Sequence, residues 1–423
     1  FGFDTAVISG VEKSIQTLWG LSPFAHGFTV ASALIGTVIG SLIAGAPADK
    51  YGRKRVLQAI GLLYLVTSLV TALTPSWLPF VIFRFLGGIG VGASSVVGPM
   101  YISEISPAHS RGRLVALFQF NVVSGILIAF VSNYLLNGIS EESWRWMLGV
   151  QAIPSLLFFG LVFLVPESPR WLMKQKREDD TRKVLAAIGE QRIEEEVKQI
   201  RESLVEEKGE KDSLFSGKYN KPILYAVGLA MFNQLSGINA IMYYAPRIFE
   251  MTGLAKDTSL LQAISIGATN LVFTMLAISL IDKFGRKTLL IIGSFGMVLF
   301  LGLVAYAFYT GNFGGYLVML YLVGFIAFFA FSQGAVIWVF ISEIFPNKVR
   351  SQGQTLGSFT HWIMAAIISW TFPYFAESSA MGGAYAFTLF SVMMLLHLFF
   401  AWKVLPETKG QSLEGIQRSL GIH

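Results

Sequence analysis

The sequence predicts an all-α membrane protein of twelve transmembrane helices in two six-helix bundles, with a helical cytoplasmic linker domain. Three observations predict it. The first is composition: of 423 residues, 53% are hydrophobic and only 14% charged, with a mean hydropathy of +0.59, whereas soluble domains carry about 25% charged residues. The second is length, because apolar stretches near the roughly 20 residues that a spanning helix needs recur along the chain. The third is repetition. Asp49-Lys50-Tyr51-Gly52-Arg53-Lys54 returns as Asp282-Lys283-Phe284-Gly285-Arg286-Lys287 after 233 positions, Ser103-Glu104-Ile105-Ser106-Pro107 as Ser342-Glu343-Ile344-Phe345-Pro346 after 239, and Pro166-Glu167-Ser168 as Pro406-Glu407-Thr408 after 240. Three matches on one period describe two copies of one membrane unit.

The chain opens on Phe1-Gly2-Phe3-Asp4, which reads as the interior of a helix, so span 1 is expected to start before residue 1 and to end near 18. Span 2 covers about 27–46, span 3 about 56–73, span 4 about 78–102, span 5 about 114–136 and span 6 about 144–165. Spans 7 to 12 fall at about 223–249, 260–281, 289–309, 316–344, 354–375 and 383–405. The expected divisions are a first bundle over 1–170, a linker domain over 171–221, a second bundle over 222–410 and a tail over 411–423. The 2–3, 4–5, 6–7, 8–9 and 10–11 connections hold nearly all the Lys and Arg, and the opposite connections are short and nearly uncharged. The basic side is therefore expected to be cytoplasmic, with both termini inside and the protein in the plasma membrane. Residues 174–221 have no counterpart in the second half. Within them Ile193, Val197, Ile200 and Leu204 are spaced as one face of an amphipathic helix. This segment is expected to join the halves as a solvated linker; the alternative is a latch over the inner face.

Several function classes are disfavoured. The net charge of +6 resides in short loops, so nucleic acid is not an expected partner. The chain has no cysteine, and its five histidines, at 26, 109, 361, 397 and 423, form no metal-ligand pair. No Gly-x-x-x-x-Gly-Lys-[Ser/Thr] string is present, and no serine has a credible base. An enzyme, a cofactor and a metal are not expected.

Chemistry concentrates in polar residues inside apolar runs. Asp4 in span 1 and Arg84 in span 4 are ionisable groups in the bilayer, which are costly and usually mark function. They are expected to pair, either as a structural ion pair or as a proton switch that biases which face opens. Asn233-Gln234-Leu235-Ser236-Gly237-Ile238-Asn239 supplies uncharged amides, each with donors and an acceptor, as a neutral polyhydroxyl ligand requires. Gly237 and Pro246 predict a kinked or broken span 7, where transporters place substrate. Gln119, Asn270, Trp338 and His361-Trp362 interrupt other apolar runs in both halves. Each alone reads as a packing amide or interface aromatic; together they favour a sugar site, amides for hydroxyls and aromatic faces for C–H faces. At the basic side Arg53 and Arg286 are expected to pair with Glu104 and Glu343 or with Glu167 and Glu407. Such clusters would lock one conformation, or serve only to hold the loops inside.

These strings, with Arg111-Gly112-Arg113, Pro166-Glu167-Ser168-Pro169-Arg170-Trp171 and Pro406-Glu407-Thr408-Lys409-Gly410, resemble the sugar porter family of the major facilitator superfamily over essentially the whole chain. The resemblance implies hexose or pentose transport by alternating access. It places the family's proton-linked aspartate on Asp4 and its arginine partner on Arg84. Facilitative glucose carriers have asparagine at the first position, so Asp4 resembles the sugar/proton symporters. It places sugar contacts on Phe1, Gln119, Gln234, Asn239, Asn270, Phe329, Gly334, Trp338 and Trp362, and an outer tyrosine gate on Tyr243 and Tyr244. A charge cluster at the cytoplasmic face is implied from Asp49, Arg53, Glu104, Arg111, Arg113, Glu167 and Arg170 in the first half and Asp282, Arg286, Glu343, Arg350 and Glu407 in the second. The sequence departs from the family at Asn233, where glutamine is usual, at Ala335, where a proline would bend span 10 more, and at His361, where an amide is usual. Ile126 stands where glucose carriers have an apolar residue and xylose carriers glutamine. The expected function is import of a monosaccharide, a hexose such as glucose, with a proton, by a monomer in the lipid bilayer. The alternatives are a proton-independent carrier and a non-transporting sugar sensor; the sensor is disfavoured because the chain ends soon after Gly410.

Overall fold

A computed structural model describes residues 1–107, 111–206, 212–314, 316–346, 348–379 and 381–409, apart from the side chains of 111–113, 115, 116 and 206. The tail expected over 411–423 lies outside the described residues, as do the side chains of Arg111 and Arg113. The fold is twelve helical spans in two bundles. Among the described residues nine helices are long and apolar enough to cross a membrane, beginning with Pro23–Ile43 and ending with Gly382–Lys403. Large apolar side chains such as Leu69, Leu73, Leu156, Leu157, Phe295, Leu299 and Phe399 stand exposed on these helices, as a lipid-facing surface requires.

The spans not among these nine are 1, 7 and 11. Span 1 is broken into Gly2–Val7, a 3-10 turn at Ile8–Gly10, and Glu12–Leu18. At the break Asn133 of span 5 donates its amide to the Val7 carbonyl at 3.1 Å. Span 7 is broken into Asn220–Leu235 and Ile238–Glu250. Gly237 sits between them at φ +81°, a conformation that costs glycine least. The break predicted from Gly237 is therefore present, and Tyr244, two residues before Pro246, adds a second non-helical point. Span 11, Arg350–Glu377, is continuous but polar. Span 10 is interrupted too. Without a proline after Gly334 it still departs from a regular helix, through a π-turn over Ala330–Gly334 between Leu317–Phe329 and Ala335–Ile344.

The repeated turns fold alike. Gly52 at φ +98° and Gly285 at φ +88° start spans 3 and 9, Arg53–Leu73 and Arg286–Thr310. Glu167 accepts the backbone N–H groups of Arg53 and Lys54 at 3.0 and 3.1 Å. Glu407 accepts those of Arg286 and Lys287 at 2.9 and 3.0 Å. Each carboxylate thus satisfies orphan donors at a helix N-terminus, where negative charge is favoured. A side chain at either glycine would collide with that carboxylate, its Cβ falling 2.3 Å from Glu167 Oε2 or 2.6 Å from Glu407 Oε2.

Between the bundles, helices Pro169–Lys174, Glu178–Ala187 and Ile193–Glu206 form the linker. Met173, Leu185, Val197 and Ile200 make its small core, so the amphipathic face read from the sequence is the buried one. Its anchor to the first half is Trp171, whose indole donates to the Asp49 carbonyl at 2.9 Å.

The halves meet at the face opposite the basic turns, called here the far face. There span 2 packs so closely on span 11 that a Cβ on Gly27 would lie 1.9 Å from the Trp370 carbonyl oxygen. The Trp370 indole donates to the Phe24 carbonyl at 3.1 Å and its ring lies 5.2 and 5.0 Å from those of Phe24 and Phe28. Span 5 packs on span 8, Leu127 and Phe130 closing on Gly267.

Candidate functional site

One cavity of about 150 Å³ lies between the bundles. A site for one water needs roughly 10–15 Å³ on this measure, so the cavity suits a solute of about a dozen heavy atoms. Phe1, Gln119 and Ile126 line it from the first half; Asn233, Gln234, Asn239, Asn270, Phe329, Gly334, Trp338, His361 and Trp362 line it from the second. All twelve residues singled out from the sequence as substrate contacts thus fall on one wall or another of this cavity. Thr5, Ala6, Val122, Val123, Ile238, Met242, Tyr243, Thr274 and Ile337 complete the lining and include side chains the sequence did not mark.

The break in span 7 turns its amides inward and sets them against one another. Asn239 donates to Gln234 Oε1 at 2.7 Å, Gln234 donates to Asn233 Oδ1 at 3.0 Å, and the Gln234 amide nitrogen lies 3.2 Å from His361 Nε2. Asn233 donates in turn to the Gln333 carbonyl in the π-turn of span 10 at 3.4 Å. The aromatic wall is continuous. The rings of Trp338 and His361 are 4.8 Å apart, His361 and Trp362 meet edge-on at 4.9 Å, and Trp362 lies 6.4 Å from Phe1. Such a surface offers hydrogen bonds and apolar faces and presents no formal charge, which suits a small neutral polar solute. Among the described residues no cluster of His, Cys, Asp or Glu could hold a metal ion.

Of the two expected gate tyrosines, Tyr243 lines the cavity and Tyr244 does not. Tyr244 points into the second bundle, donating its hydroxyl to the Ser369 carbonyl at 3.1 Å and packing 5.3 Å from the Phe372 ring. The non-helical backbone at Tyr244 separates the two directions.

Asp4 and Arg84 are brought together beside this wall. Both are buried, at 6% and 5% exposure, and Arg84 Nη1 lies 3.7 Å from Asp4 Oδ1. That is an ion pair without a tight hydrogen bond, and Arg84 Nε has no partner. The close partner of Asp4 is Gln151, in the span formed by Ser143–Gly149 and Ala152–Val162; its amide donates to Asp4 Oδ1. Gln151 was missed in the sequence, although an amide inside an apolar run was the signal that selected Gln119. Thr5 and Ala6, next to Asp4 in the chain, line the cavity, so a change at Asp4 is one residue from the cavity wall.

Among the described residues the charged groups of the basic face form two sets. Arg53 donates to Glu104 through Nε and Nη2 at 2.8 and 2.9 Å and to Asp49 at 3.0 Å. Arg286 does the same with Glu343 at 3.1 and 2.7 Å and with Asp282 at 2.9 Å. Ser168 and Thr408 each add a hydroxyl to the carboxylate, at 2.5 and 2.6 Å. The sequence left the choice of glutamate open; both are used, one for the guanidinium and one for the backbone. Arg170 reaches Ser203 of the linker at 3.0 Å, and Arg350 the Phe345 carbonyl at 3.4 Å. Burial raises the Asp49 carboxyl, and Lys174 and Arg53 more than offset it, holding it below the ordinary carboxylate range.

The sequence profile of the family described as "Sugar (and other) transporter" matches residues 1–420. The chain is 36% identical to the D-xylose-proton symporter of Escherichia coli (strain K12), over 99% of this chain and 92% of that protein. It is 37% identical to the arabinose-proton symporter of Bacillus subtilis (strain 168), over 99% and 91%. Among solved structures, the inward-open conformation of the xylose transporter XylE from E. coli superposes with a TM-score of 0.87, at 36% identity, over 99% of this chain and 96% of that one.

Proposed function

This chain belongs to the sugar (and other) transporter family, and from that membership we propose that it imports a monosaccharide with a proton across the plasma membrane by alternating access. The observation that carries the proposal is the convergence of amides and aromatics from both halves on one cavity, with a buried acid one residue behind its wall. A site shared by both bundles can be exposed to either side by rocking one against the other. The basic face is assigned to the cytoplasm on its Lys and Arg, so the far face is outer. Closure of the far face and the likeness to an inward-open structure support an inward-facing state.

Asp4 is the proton carrier in this reading. Protonating it would release Arg84 from its charge and leave Gln151 facing a neutral acid. The named relatives carry pentoses with protons, which supports the coupling. Ile126 presents an apolar side chain to the cavity, and this favours a hexose such as glucose.

The test is uptake by the purified protein in vesicles, with and without an acidic exterior. The wild type is expected to accumulate sugar against its gradient only when the exterior is acidic. Asp4→Asn is expected to retain exchange and lose accumulation. Accumulation that persists in Asp4→Asn, or that ignores the pH gradient, overturns the coupling. Competition among glucose, galactose, fructose and xylose assigns the sugar, and failure of all four to bind overturns the site.

A further inference from the structure

A groove of about 400 Å³ opens on the first bundle near its basic end and shares no residue with the cavity between the halves. Val56, Ala59, Ile60 and Leu63 of span 3 form one wall, at the spacing of a single helix face. Gly90 and Ala93 of span 4, Trp77–Ile105, form another, and these small residues with Ala59 leave the room. Pro47 and Tyr51, in the short helix Gly45–Tyr51 that continues span 2, lie at the basic end. Ala59 is exposed, as are Leu62 and Val66 of the same span and Leu42 and Ile43 of span 2. The groove therefore opens towards hydrocarbon.

Arg55 lines the same groove at its basic end and is exposed. The acids of this turn are engaged elsewhere: Asp49 with Arg53 and Lys174, Glu104 with Arg53, and Glu167 with the backbone of Arg53 and Lys54. Among the described residues no acid pairs with Arg55. Lys50 adds a second exposed cation, its ammonium 5.1 Å from the centre of the Tyr51 ring, and the Tyr51 hydroxyl is a hydrogen-bond donor. An apolar slot with cations and a donor at its mouth is complementary to an acyl chain below a phosphate.

The repeat supplies an internal comparison. Through the period of 233, Ile60 and Leu63 correspond to Gly293 and Gly296, Tyr51 to Phe284 and Arg55 to Thr288. There span 10 closes on span 9. A Cβ at Gly293 would fall 1.8 Å from the Ser332 hydroxyl oxygen, and one at Gly296 would fall 2.2 Å from the Phe328 ring. The second half thus covers the matching helix face with its own side chains, and the matching positions carry neither the cation nor the tyrosine hydroxyl.

We propose that this groove binds an anionic phospholipid from the leaflet at the basic face, with one acyl chain between spans 3 and 4 and the phosphate on Arg55. Lys50 and Tyr51 stand beside that phosphate. A zwitterionic lipid brings the same chain and phosphate, but its ammonium offsets the charge that Arg55 and Lys50 attract. Net headgroup charge is therefore the selective feature, and one basic residue at a membrane surface is worth about fivefold in affinity. Every residue of the site belongs to the first bundle, so the lipid moves with that bundle and the site does not depend on which sugar or ion is carried.

The test places the full chain in phosphatidylcholine nanodiscs with a trace of phosphatidylglycerol that carries a diazirine in one acyl chain. Illumination attaches the chain where it lies, and mass spectrometry of peptides locates it. Label is expected on residues 56–63 and 89–93 in excess of that on 289–296, and phosphatidylcholine with the same diazirine chain should label the groove about fivefold less. Arg55→Thr, which copies the second half, should bring the two headgroups level. Ala59→Trp fills the groove from its exposed rim and should remove the labelling by both. Both positions are exposed, so both variants are expected to fold; the headgroup comparison in the wild type decides the matter if either does not. Groove labelling no heavier than that of 289–296, no headgroup preference in the wild type, or a preference that survives Arg55→Thr overturns the site. Displacement of the phosphatidylglycerol label by water-soluble glycerol phosphate assigns Arg55 to a free phosphate and overturns the lipid.

Discussion

The two faces of the molecule hold their charges in opposite ways. On the basic face one cluster is built twice, Arg53 with Glu104 and Glu167, Arg286 with Glu343 and Glu407, and among the described residues each copy bonds within its own half. On the far face one network is built once. The ion pairs between described residues that join the halves, Glu12 with Arg247 and Lys13 with Glu250, both lie there. A cluster confined to one bundle is indifferent to how the bundles stand relative to each other, so it can hold a turn and a helix start but cannot by itself latch a conformation. A pair that crosses between bundles must break when they part. Among the described residues the basic-face clusters, expected from the sequence either to lock one conformation or only to hold the loops inside, are fasteners within each half in this state, and the ion pairs that cross the halves lie on the other face.

The largest effect should come from breaking a fastener. Arg53→Ala leaves Glu104, and with it a buried carboxylate, without its guanidinium, and loss of one partner of a buried pair costs about 3–5 kcal/mol. Arg286→Ala should cost a similar amount in the second half. Thermal unfolding of the purified protein checks both, and the balance of outward- and inward-facing molecules should stay as in the wild type. A variant that keeps its midpoint but shifts that balance would erase the distinction between the faces.

Breaking the latch should do the reverse. Arg247→Met removes the group that joins Glu12 to Glu377, but Glu377 is already exposed and opening the far face rehydrates Glu12, which limits the penalty. The expected shift towards the open state is about 1–3 kcal/mol, roughly 5- to 150-fold in the ratio of states, with little change in the unfolding midpoint. Distances across the far face measure it, and an unchanged ratio would mean that apolar packing of span 2 on span 11, Gly27 against Trp370, closes that face unaided.

What was legible in the sequence follows the same divide. Gly52 and Gly285 could be read because repetition marks them, and the broken span 7 because Gly237 stands among amides. The twelve cavity residues stood out as polar or aromatic interruptions of apolar runs, or through the family resemblance, and they converge. Gln151 carried the same signal but has no repeat partner to draw attention to it. The far-face network had no signal at all. Glu12 and Arg247 lie at span ends, where an ionisable residue reads as an ordinary loop charge, and only the meeting of spans 1 and 7 buries them together. The π-turn of span 10 was equally hidden, since no glycine or proline pattern encodes it; Gln333 within it is buried and bonded to His397 at 2.9 Å.

The smallest effect tests a place where the two basic-face clusters differ. Asp49 has a partner that Asp282 does not share, Lys174 of the linker at 3.0 Å. The pair is half exposed, so its worth is at most about 1 kcal/mol. Lys174→Met should loosen the Pro169–Lys174 helix by that amount, read as faster amide exchange there, while Trp171 keeps its bond to the Asp49 carbonyl. The pH dependence has a definite sign. The Asp49 carboxyl is held below its ordinary value in the folded protein, so its contribution is present above the unfolded value of about 3.9 and is lost as pH falls through the depressed folded value. Wild type and Lys174→Met should therefore differ in exchange at neutral pH and converge once Asp49 is protonated. A difference that survives in acid would assign the loosening to lost packing of the lysine stem, and would remove charge from the asymmetry between the halves.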